Sequence, residues 1–329
     1  MKKQFKLFSI VLAIALILTA CGGGGSSSNG GGSSDGSQSG GGGESGKKIK
    51  VGIVYTTLTN EFAVKIQAAV REKAQELGIE LLEADGQGKP ENQIAQVENF
   101  ITQKVDAIIL QPYDRNGTAP AVDKAVNANI PIVVVNAQTS NVEKALAYVG
   151  SDDVYAGELE MQYIADQLGG KGNIVIIRGP YGNSAEVDRT EGNRNVLAKY
   201  PDINVLADQT ANWDRAEAMV LMENWLQTYP DIDAVVAQND EMALGAYQAI
   251  KAAKKENEIL VIGIDAIEDA LKSVANGEMV ATVFQDAVGQ GHTAVELAVK
   301  AAKGEAVEFE NWIPFILVTQ ENINDFLKQ

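Results

Sequence analysis

Residues 234–250, AVVAQNDEMALGAYQAI, contain the pattern from which the fold class is first predicted. Its first four residues are apolar without alternation, which predicts a short strand buried on both faces of a parallel sheet. The polar residues Gln238, Asn239 and Asp240 follow, and a helix comes after them, which Asn or Asp can cap. Ligands of open α/β sheets bind at this edge. The turn is therefore either a strand end with a helix cap or part of a binding site.

Apolar strands and helices alternate along the chain from Lys50 onward. This order predicts parallel sheets with helices on both faces. The pattern restarts at AYVGSDD, residues 147–153, which we interpret as a segment that crosses between two series. The predicted fold class is α/β, with two doubly wound parallel-sheet lobes joined by a hinge. The predicted strands are 49–55, 79–84, 106–112, 130–136, 173–179, 203–208, 234–239, 259–265 and 279–286.

The segment 1–20 has the composition of a secretory signal peptide. Lys2 and Lys3 form a basic start, and the apolar run 7–18 is too short to span a bilayer. The small residues before Cys21 are similar to the cleavage box of bacterial lipoproteins, which makes Cys21 the predicted lipidation site. An ordinary signal peptide with an incidental cysteine is the alternative.

Residues 21–47 comprise the predicted lipidated cysteine and a linker that is nearly all glycine and serine. A segment with no apolar residue to bury is predicted to be a flexible tether. We therefore expect an exported protein that is lipid-anchored to the outer face of the cell membrane. Its formal net charge of −17 becomes −20 once the three lysines of the signal segment are removed. This charge argues against nucleic acid or an anionic surface as the partner.

Polar and aromatic side chains follow the predicted strands of both series. A monosaccharide presents hydroxyl groups and apolar C–H faces, so its site needs planar polar side chains and aromatic rings. Taken singly, each candidate has a structural explanation as a turn, a cap or a core residue. Their shared position at strand ends favours a binding site. The candidate ligand-binding residues are Thr56, Asn60, Phe62, Asn136, Arg189, Trp213, Asn239, Asp265 and Gln285.

A series of segments across residues 48–320 resembles the ribose- and galactose-type periplasmic sugar-binding proteins. The resemblance implies a type I periplasmic-binding-protein fold. It implies that Asn60 and Phe62 contact the sugar, that Arg189 donates to its oxygens, and that Trp213 stacks on it. The segments that carry it are TLTNEF (57–62), RTEGN (189–193), ANWDR (211–215), QNDEMALGA (238–246), VIGID (261–265) and TVFQD (282–286).

The same resemblance gives roles to three further residues. Asn239 would contact a sugar hydroxyl, Asp265 would accept from hydroxyls, and Gln285 would make the last contact. The QNDEMALGA segment is the strongest of the matches.

The chain also departs from the family pattern at four positions. Ribose-type proteins have Asp-Arg after the fourth strand, where this chain has Asn136 and Ala137. Ala63 stands where many members have a second phenylalanine, and Ala185 stands where the galactose type has an aspartate. Losing a charged pair removes strong hydroxyl contacts, and a small Ala63 leaves room for a larger hexose. The identity of the sugar is therefore left open.

The resemblance implies a monomeric solute-binding protein for a hexose or a pentose. Hinge closure between the lobes would bury the sugar, and the permease of an ABC transporter would receive it. The N-terminal lobe would be 48–151 plus 285–314, and the C-terminal lobe 152–284 plus 315–329. One alternative is a surface sensor that carries the ligand to a receptor. Another is the same fold with a polyol or a furanosyl signal molecule as its ligand.

Little in the sequence points to catalysis. Its one histidine, His292, falls in a predicted helix beside apolar residues and is interpreted as a surface or interlobe packing residue. Outside the glycine- and serine-rich linker, the sequence contains no G-x-S-x-G motif, and the chain has no H-E-x-x-H motif, no P-loop motif and no Cys/His cluster for a transition metal. We therefore expect no enzyme activity, no cofactor and no metal.

Overall fold

A computed structural model describes residues 48–327 of the chain. These residues belong to one compact unit, Lys47–Gln329. The predicted signal segment, the lipidation site Cys21 and the glycine- and serine-rich linker lie outside the described residues. Within residues 48–327, no helix combines the length and the apolar character needed to cross a bilayer.

The strands and helices alternate as the sequence predicts. Two short 3-10 helices, Val142–Lys144 and Ile323–Asp325, accompany them. The strands are β1 Lys50–Tyr55, β2 Glu80–Asp85, β3 Ala107–Leu110, β4 Ile132–Asn136, β5 Ala147–Gly150, β6 Lys171–Arg178, β7 Asp202–Thr210, β8 Ala234–Ala237, β9 Leu260–Asp265, β10 Ala281–Phe284, β11 Glu310–Trp312 and β12 Ile316–Thr319. The α-helices are α1 Glu61–Glu76, α2 Pro90–Thr102, α3 Ala119–Asn127, α4 Asp153–Gln167, α5 Ser184–Leu197, α6 Arg215–Thr228, α7 Asp240–Ala252, α8 Glu268–Ala275 and α9 Ala287–Ala302.

In the described part of the chain the strands form two six-stranded sheets, one in each lobe. The first sheet has the order β11-β5-β4-β3-β1-β2, and all of its neighbours are parallel. The second has the order β12-β10-β9-β8-β6-β7, in which only β12 is antiparallel to its neighbour. Strands β3 and β8 are buried along their whole length, as expected of parallel strands covered on both faces. The predicted fold class is confirmed.

Three connections join the two lobes. Strand β5 ends at Gly150, and α4 of the second lobe begins at Asp153. Strand β10 ends at Phe284, and the next helix, α9, packs on α1, β3 and β4 of the first lobe. Strand β11 belongs to the first sheet and β12 to the second, so the chain crosses again between Trp312 and Ile316. The segment predicted as a crossing, 147–153, is thus mostly strand β5, and the crossing itself is shorter.

Helices α4 and α5 of the second lobe approach each other closely through glycine. A Cβ atom on Gly157 would lie 2.2 Å from the carbonyl oxygen of Arg189. A Cβ atom on Gly192 would lie 2.0 Å from the carbonyl oxygen of Val154. Only glycine allows this spacing, and the spacing fixes α5, the helix that carries Arg189.

Candidate binding site

A cavity of about 190 Å³ opens where the carboxyl ends of the two sheets meet. It is smaller than the pockets of about 300–1,000 Å³ that hold drug-sized molecules. All nine residues singled out in the sequence line it, although their contact with a ligand stays a prediction. The first lobe provides Thr56, Asn60, Phe62 and Asn136, the second provides Arg189, Trp213, Asn239 and Asp265, and Gln285 lies in a connection between them.

Two of the asparagines in the lining are also helix caps. The Oδ1 atom of Asn60 accepts from the backbone N–H of Ala63 at 2.8 Å, which caps α1. The Oδ1 atom of Asn239 accepts from the N–H of Met242 at 3.0 Å, which caps α7. Each cap uses the amide oxygen, so the Nδ2 group is the donor that each side chain can offer to the cavity. The cap and the binding site are therefore compatible at both positions.

Arg189 is buried and held on several sides. Its Nε donates to Oδ1 of Asp153 at 2.9 Å, and its Nη1 donates to the carbonyl oxygen of Gln238 at 2.5 Å. Its guanidinium carbon lies 5.7 Å from the ring centre of Trp213 and 5.8 Å from that of Phe315. Burial by itself would lower the pKa of Arg189, but nearby carboxylates, Asp153 first, outweigh burial and raise it. The guanidinium is thus a fixed and charged donor at the cavity wall.

Gln285 lies beside Arg189 in the lining of the cavity. Its Oε1 accepts from Nη2 of Arg189 at 3.3 Å. Its Nε2 is buried and has no hydrogen-bond partner among residues 48–327. A buried donor without a partner is costly, so this amide is a donor that a ligand oxygen would satisfy.

Asp265 ends β9 and is 6% exposed. Its φ of +130° and the φ of +55° at Ala266 are conformations that non-glycine residues rarely adopt. Burial raises the pKa of the Asp265 carboxyl well above its usual range, and the charge of Arg189 opposes part of that rise. The site therefore has a buried carboxyl that hydroxyl donors of a ligand would stabilise in its ionised form.

Asn136 lies in the lining with both ends of its side chain engaged. Its Oδ1 accepts from Nε2 of Gln111 at 3.2 Å, and its Nδ2 donates to Oε1 of Gln290 at 3.1 Å. Its φ of +69° is left-handed, and the Tyr148 hydroxyl donates to its carbonyl oxygen at 2.9 Å. Asn136 is thus held by an amide network of the first lobe, and Gln111 also lines the cavity.

Beside Tyr113, the two predicted aromatic residues of the lining supply apolar surface. Phe62 is 9% exposed and belongs to the hydrophobic core, and Trp213 packs against that core with a φ of +63°. The Trp213 ring lies on the backbone of Gly179, where a Cβ atom would be 2.1 Å from the ring. Both rings therefore have a packing role and a face toward the cavity.

Several lining residues were not predicted from the sequence. Gln111 follows β3 directly, so the strand-end rule that selected Asn239 would have found it. Asn183 and Arg215 stand at the starts of α5 and α6. The residues added by the structure include Thr59, Gln111, Tyr113, Asn183, Arg215 and Glu241.

The two lobes touch on both sides of the cavity. On one side, Nη1 of Arg115 lies 3.1 Å from Oδ1 of Asp188, and Nδ2 of Asn183 donates to the carbonyl oxygen of Tyr113 at 2.7 Å. On the other side, the backbone N–H of Glu268 donates to Oε1 of Glu61 at 3.1 Å. The two lobes are thus in direct contact beside the cavity.

The single histidine does not belong to the lining of the cavity. Residues 48–327 hold no group of three or more side chains that could bind a metal ion together. Nε2 of His292, on α9, lies 3.6 Å from Oε2 of Glu72 on α1, within the first lobe. The histidine therefore packs between two helices of one lobe, away from the cavity.

Two α/β lobes with three connections and a polar cavity between them define a type I periplasmic binding protein. Residues 51–306 match the family model described as a periplasmic binding protein domain, and the chain belongs to this family. The predicted resemblance to periplasmic sugar-binding proteins is confirmed. Members of this family are binding proteins.

Several known proteins are similar over most of their length. A protein of Rhizobium meliloti, provisionally named a rhizopine-binding protein, is 41% identical over 283 residues, which are 84% of this chain and 92% of that protein. A xylitol-binding protein of Mycolicibacterium smegmatis is 43% identical over 247 residues, which are 75% of this chain and 70% of that protein. A crystal structure of an ABC transporter solute binding protein from Bacillus halodurans, with bound myo-inositol, is 42% identical with a TM-score of 0.83. It covers 87% of this chain, which in turn covers 99% of that structure.

Proposed function

We propose that this protein is an extracytoplasmic solute-binding lipoprotein of an ABC transporter. It captures one uncharged, polyhydroxylated small molecule, a monosaccharide or a polyol, and delivers it to the permease. The observation that carries the proposal is the composition of the cavity. Amide and guanidinium donors, carboxyl groups and aromatic rings surround a space of small-ligand size.

The donors and acceptors suit hydroxyl groups. A hydroxyl can accept from an amide or guanidinium N–H and donate to a carboxylate at the same time. Asn60, Asn239 and Gln285 are amide donors, Arg189 is a charged donor, and Asp265 is the acceptor. The faces of Phe62 and Trp213 suit the C–H surface of a sugar or polyol ring.

The charges of the lining favour an uncharged ligand. Arg189 is paired with Asp153 at 2.9 Å. Arg215 is paired with Glu241 at 2.6 Å and with Asp269 at 3.1 Å. Both arginines of the lining are therefore already neutralised, and a phosphate or carboxylate group would meet the Asp265 carboxyl without a free cation.

The relatives support a polyol beside the predicted monosaccharide. Myo-inositol, bound in the Bacillus halodurans structure, is a six-membered ring with hydroxyl groups and no charge. Xylitol, named for the Mycolicibacterium relative, is also an uncharged polyol. The neutral Asn136–Ala137 pair, in place of a charged Asp-Arg pair, fits a ligand that differs from ribose.

Capture would proceed by closure of the two lobes. We propose lobes of 48–151 plus 285–314 and of 152–284 plus 315–329, with the three connections as the hinge. Ligand contacts from both lobes would stabilise the closed form over the open one. The contacts between Arg115 and Asp188 and between Glu61 and Glu268 support such a closed form.

A thermal-shift screen tests the ligand class. The chain from Lys47 onward is unfolded, dialysed and refolded so that it carries no ligand, and is then mixed with myo-inositol, xylitol, hexoses, pentoses, sugar phosphates and amino acids. A ligand at about 100 times its dissociation constant should add about 2.7 kcal/mol of stability. We expect a shift with at least one polyol or monosaccharide. A shift only with a sugar phosphate or an amino acid would contradict the proposal.

Membrane anchoring is tested separately with Cys21→Ser in the full chain. The wild-type protein should sediment with membranes, because the lipid proposed on Cys21 would anchor it there. The serine variant should appear in the soluble extracytoplasmic fraction. Identical fractionation of the two proteins would contradict the lipoprotein proposal and leave the ligand proposal intact.

A further inference from the structure

The turn after β9 has an unusual backbone. Asp265 has a φ of +130° and Ala266 has a φ of +55°, so two consecutive residues with side chains adopt conformations that favour glycine. Such a turn persists only where its surroundings hold it. This turn also sets the direction in which the Asp265 carboxyl points, because Asp265 is its first residue.

Two fully buried side chains behind the cavity hold this turn. Oδ2 of Asp240 accepts from the backbone N–H of Ile267 at 3.0 Å. Oδ1 of Asp240 accepts from the hydroxyl of Thr282 at 2.7 Å. The Thr282 oxygen in turn accepts from the N–H of Ala266 at 3.2 Å. Both backbone N–H groups that follow Asp265 are therefore bound by one Asp240–Thr282 pair.

Helix capping does not explain Asp240. The cap of α7 is Asn239, whose Oδ1 accepts from the N–H of Met242. Asp240 is the first residue of α7, and its oxygens accept from the β9 turn and from β10 instead. A buried carboxyl is costly unless it makes such bonds.

The neighbouring strand is shaped to admit Asp240. Gly263 in β9 stands beside it, and a Cβ atom there would lie 2.3 Å from Oδ1 of Asp240. A glycine in the middle of a buried strand weakens the strand and marks a close approach. Here the approach is that of the Asp240 carboxyl.

We propose that Asp240 and Thr282 are positioning residues for ligand binding, which act by fixing the turn that aims the Asp265 carboxyl into the cavity. The inference rests on the proposed function, in which Asp265 accepts from ligand hydroxyls. Neither Asp240 nor Thr282 is among the residues that line the cavity. Their effect on binding therefore passes through Asp265.

The test compares Thr282→Val with Thr282→Ser, each in the wild-type and in the Asp265→Asn background. Valine keeps the shape of threonine without the hydroxyl, and serine restores the hydroxyl. Affinity is measured by calorimetry with myo-inositol and with any sugar or polyol that stabilises the wild type. We expect Thr282→Val to weaken binding about tenfold or more, which corresponds to about 1.4 kcal/mol, and Thr282→Ser to stay within about threefold.

The Asp265→Asn background separates positioning from general damage. If Thr282 acts through Asp265, the two changes are not additive, and Thr282→Val should weaken the remaining binding less than about threefold. An equal loss in both backgrounds, or no loss in either, would overturn the proposal.

Amide hydrogen exchange gives a readout that needs no ligand. In the ligand-free protein, the N–H groups of Ala266 and Ile267 should exchange about tenfold faster or more in Thr282→Val, and at the wild-type rate in Thr282→Ser. Unchanged exchange in Thr282→Val would overturn the proposal whatever the ligand is. If the wild type binds no sugar or polyol but exchange responds as expected, the proposed function fails and the hold on the turn stands.

Discussion

At the scale of single residues, the site uses side chains that already have a structural task. Asn60 and Asn239 follow parallel strands and cap the next helices through Oδ1. The geometry of a βα turn directs the oxygen into the helix and leaves the amide nitrogen at the strand edge, where ligands bind. The two explanations that the sequence left open for Asn239, a helix cap and a ligand contact, are therefore compatible in one side chain.

Replacing Asn239 with serine should separate its two roles. Serine is as good a helix cap as asparagine, so the free energy of unfolding should change by less than about 0.5 kcal/mol. Serine lacks the amide N–H, so ligand binding should weaken by about 1–3 kcal/mol. Urea unfolding and calorimetry check the two values, and Asn239→Ala, which loses cap and donor, should lower both. Unchanged affinity in Asn239→Ser would exclude the amide from the ligand contacts.

Glu160 is a buried acid outside the cavity whose ionisation should affect stability. It is fully buried on α4, and its Oε1 accepts from Nδ2 of Asn193 on α5 at 2.8 Å. Its Oε2 has no hydrogen-bond partner in the described part of the chain. Burial raises the pKa of Glu160 from its ordinary value of 4.5 to about 8, although the bond from Asn193 opposes the rise.

The sign of the pH dependence follows from this raised pKa. Between about pH 4.5 and pH 8 the folded protein holds a proton on Glu160 that the unfolded chain has released. The contribution of Glu160 to the free energy of unfolding therefore falls as pH rises through this window, by at most about 1.4 kcal/mol per pH unit. In Glu160→Gln this dependence should be absent, so the variant should gain stability relative to wild type from pH 5 to pH 8. Parallel urea-unfolding profiles of the two proteins would contradict the assignment.

At the scale of elements, the contact between α4 and α5 sets the position of Arg189. Gly192 follows Arg189 by three residues on α5, and its backbone lies against Val154 of α4. Gly192→Ala would force the helices apart, and overpacking typically costs about 1–3 kcal/mol. We expect lower stability and weaker ligand binding, measured by urea unfolding and calorimetry.

The control for Gly192→Ala is Glu191→Ala on the exposed face of the same helix. A surface change of this kind should alter stability by less than about 0.5 kcal/mol. Equal stability of the two variants would show that α4 and α5 have room for a methyl group.

The sequence predicts most elements because apolar runs and helical stripes are strong where strands are buried on both faces. Strand β11, Glu310–Trp312, was missed because it is three residues long, mostly polar and joined to β5 at the sheet edge through the backbone. Strand β12 was missed as well, since it is short, antiparallel and follows the last crossing.

The site was predictable in part for a similar reason. Polar residues at the ends of predicted strands can be identified from their position in the sequence, as Asn136, Asp265 and Gln285 were. The side chains that hold the site residues in place cannot be predicted in this way. Arg189, for example, contacts Asp153, which follows the first connection between the lobes, and Phe315, which lies in the third. No local pattern encodes the path of those connections.

At the scale of the whole molecule, an ion pair joins the two lobes, and the proposed closure would depend on it in part. Arg115 of the first lobe pairs with Asp188 of the second at 3.1 Å, and both side chains are partly exposed. Arg115→Gln should weaken ligand binding by up to about 1 kcal/mol, since an exposed pair contributes little. The loss should shrink in 1 M salt, which screens such pairs. Calorimetry at low and high salt measures both effects.

Lys124→Gln provides the matched control for Arg115→Gln. Lys124 pairs with Glu98, and both residues belong to the first lobe, so closure does not change their contact. The affinity of the Lys124→Gln variant for the ligand should equal that of the wild type at either salt concentration. An equal loss of affinity in the two variants would contradict a specific role of the Arg115–Asp188 pair in closure.

The most direct test of the central claim is a calorimetric titration of the refolded chain from Lys47 with the polyols and monosaccharides of the screen. We expect saturable binding of at least one of them with one site per chain. We also expect this binding to weaken about fivefold or more in Asn239→Ser. Binding of none of them, or binding with the same affinity in Asn239→Ser, would contradict the claim that this cavity captures an uncharged polyhydroxylated solute.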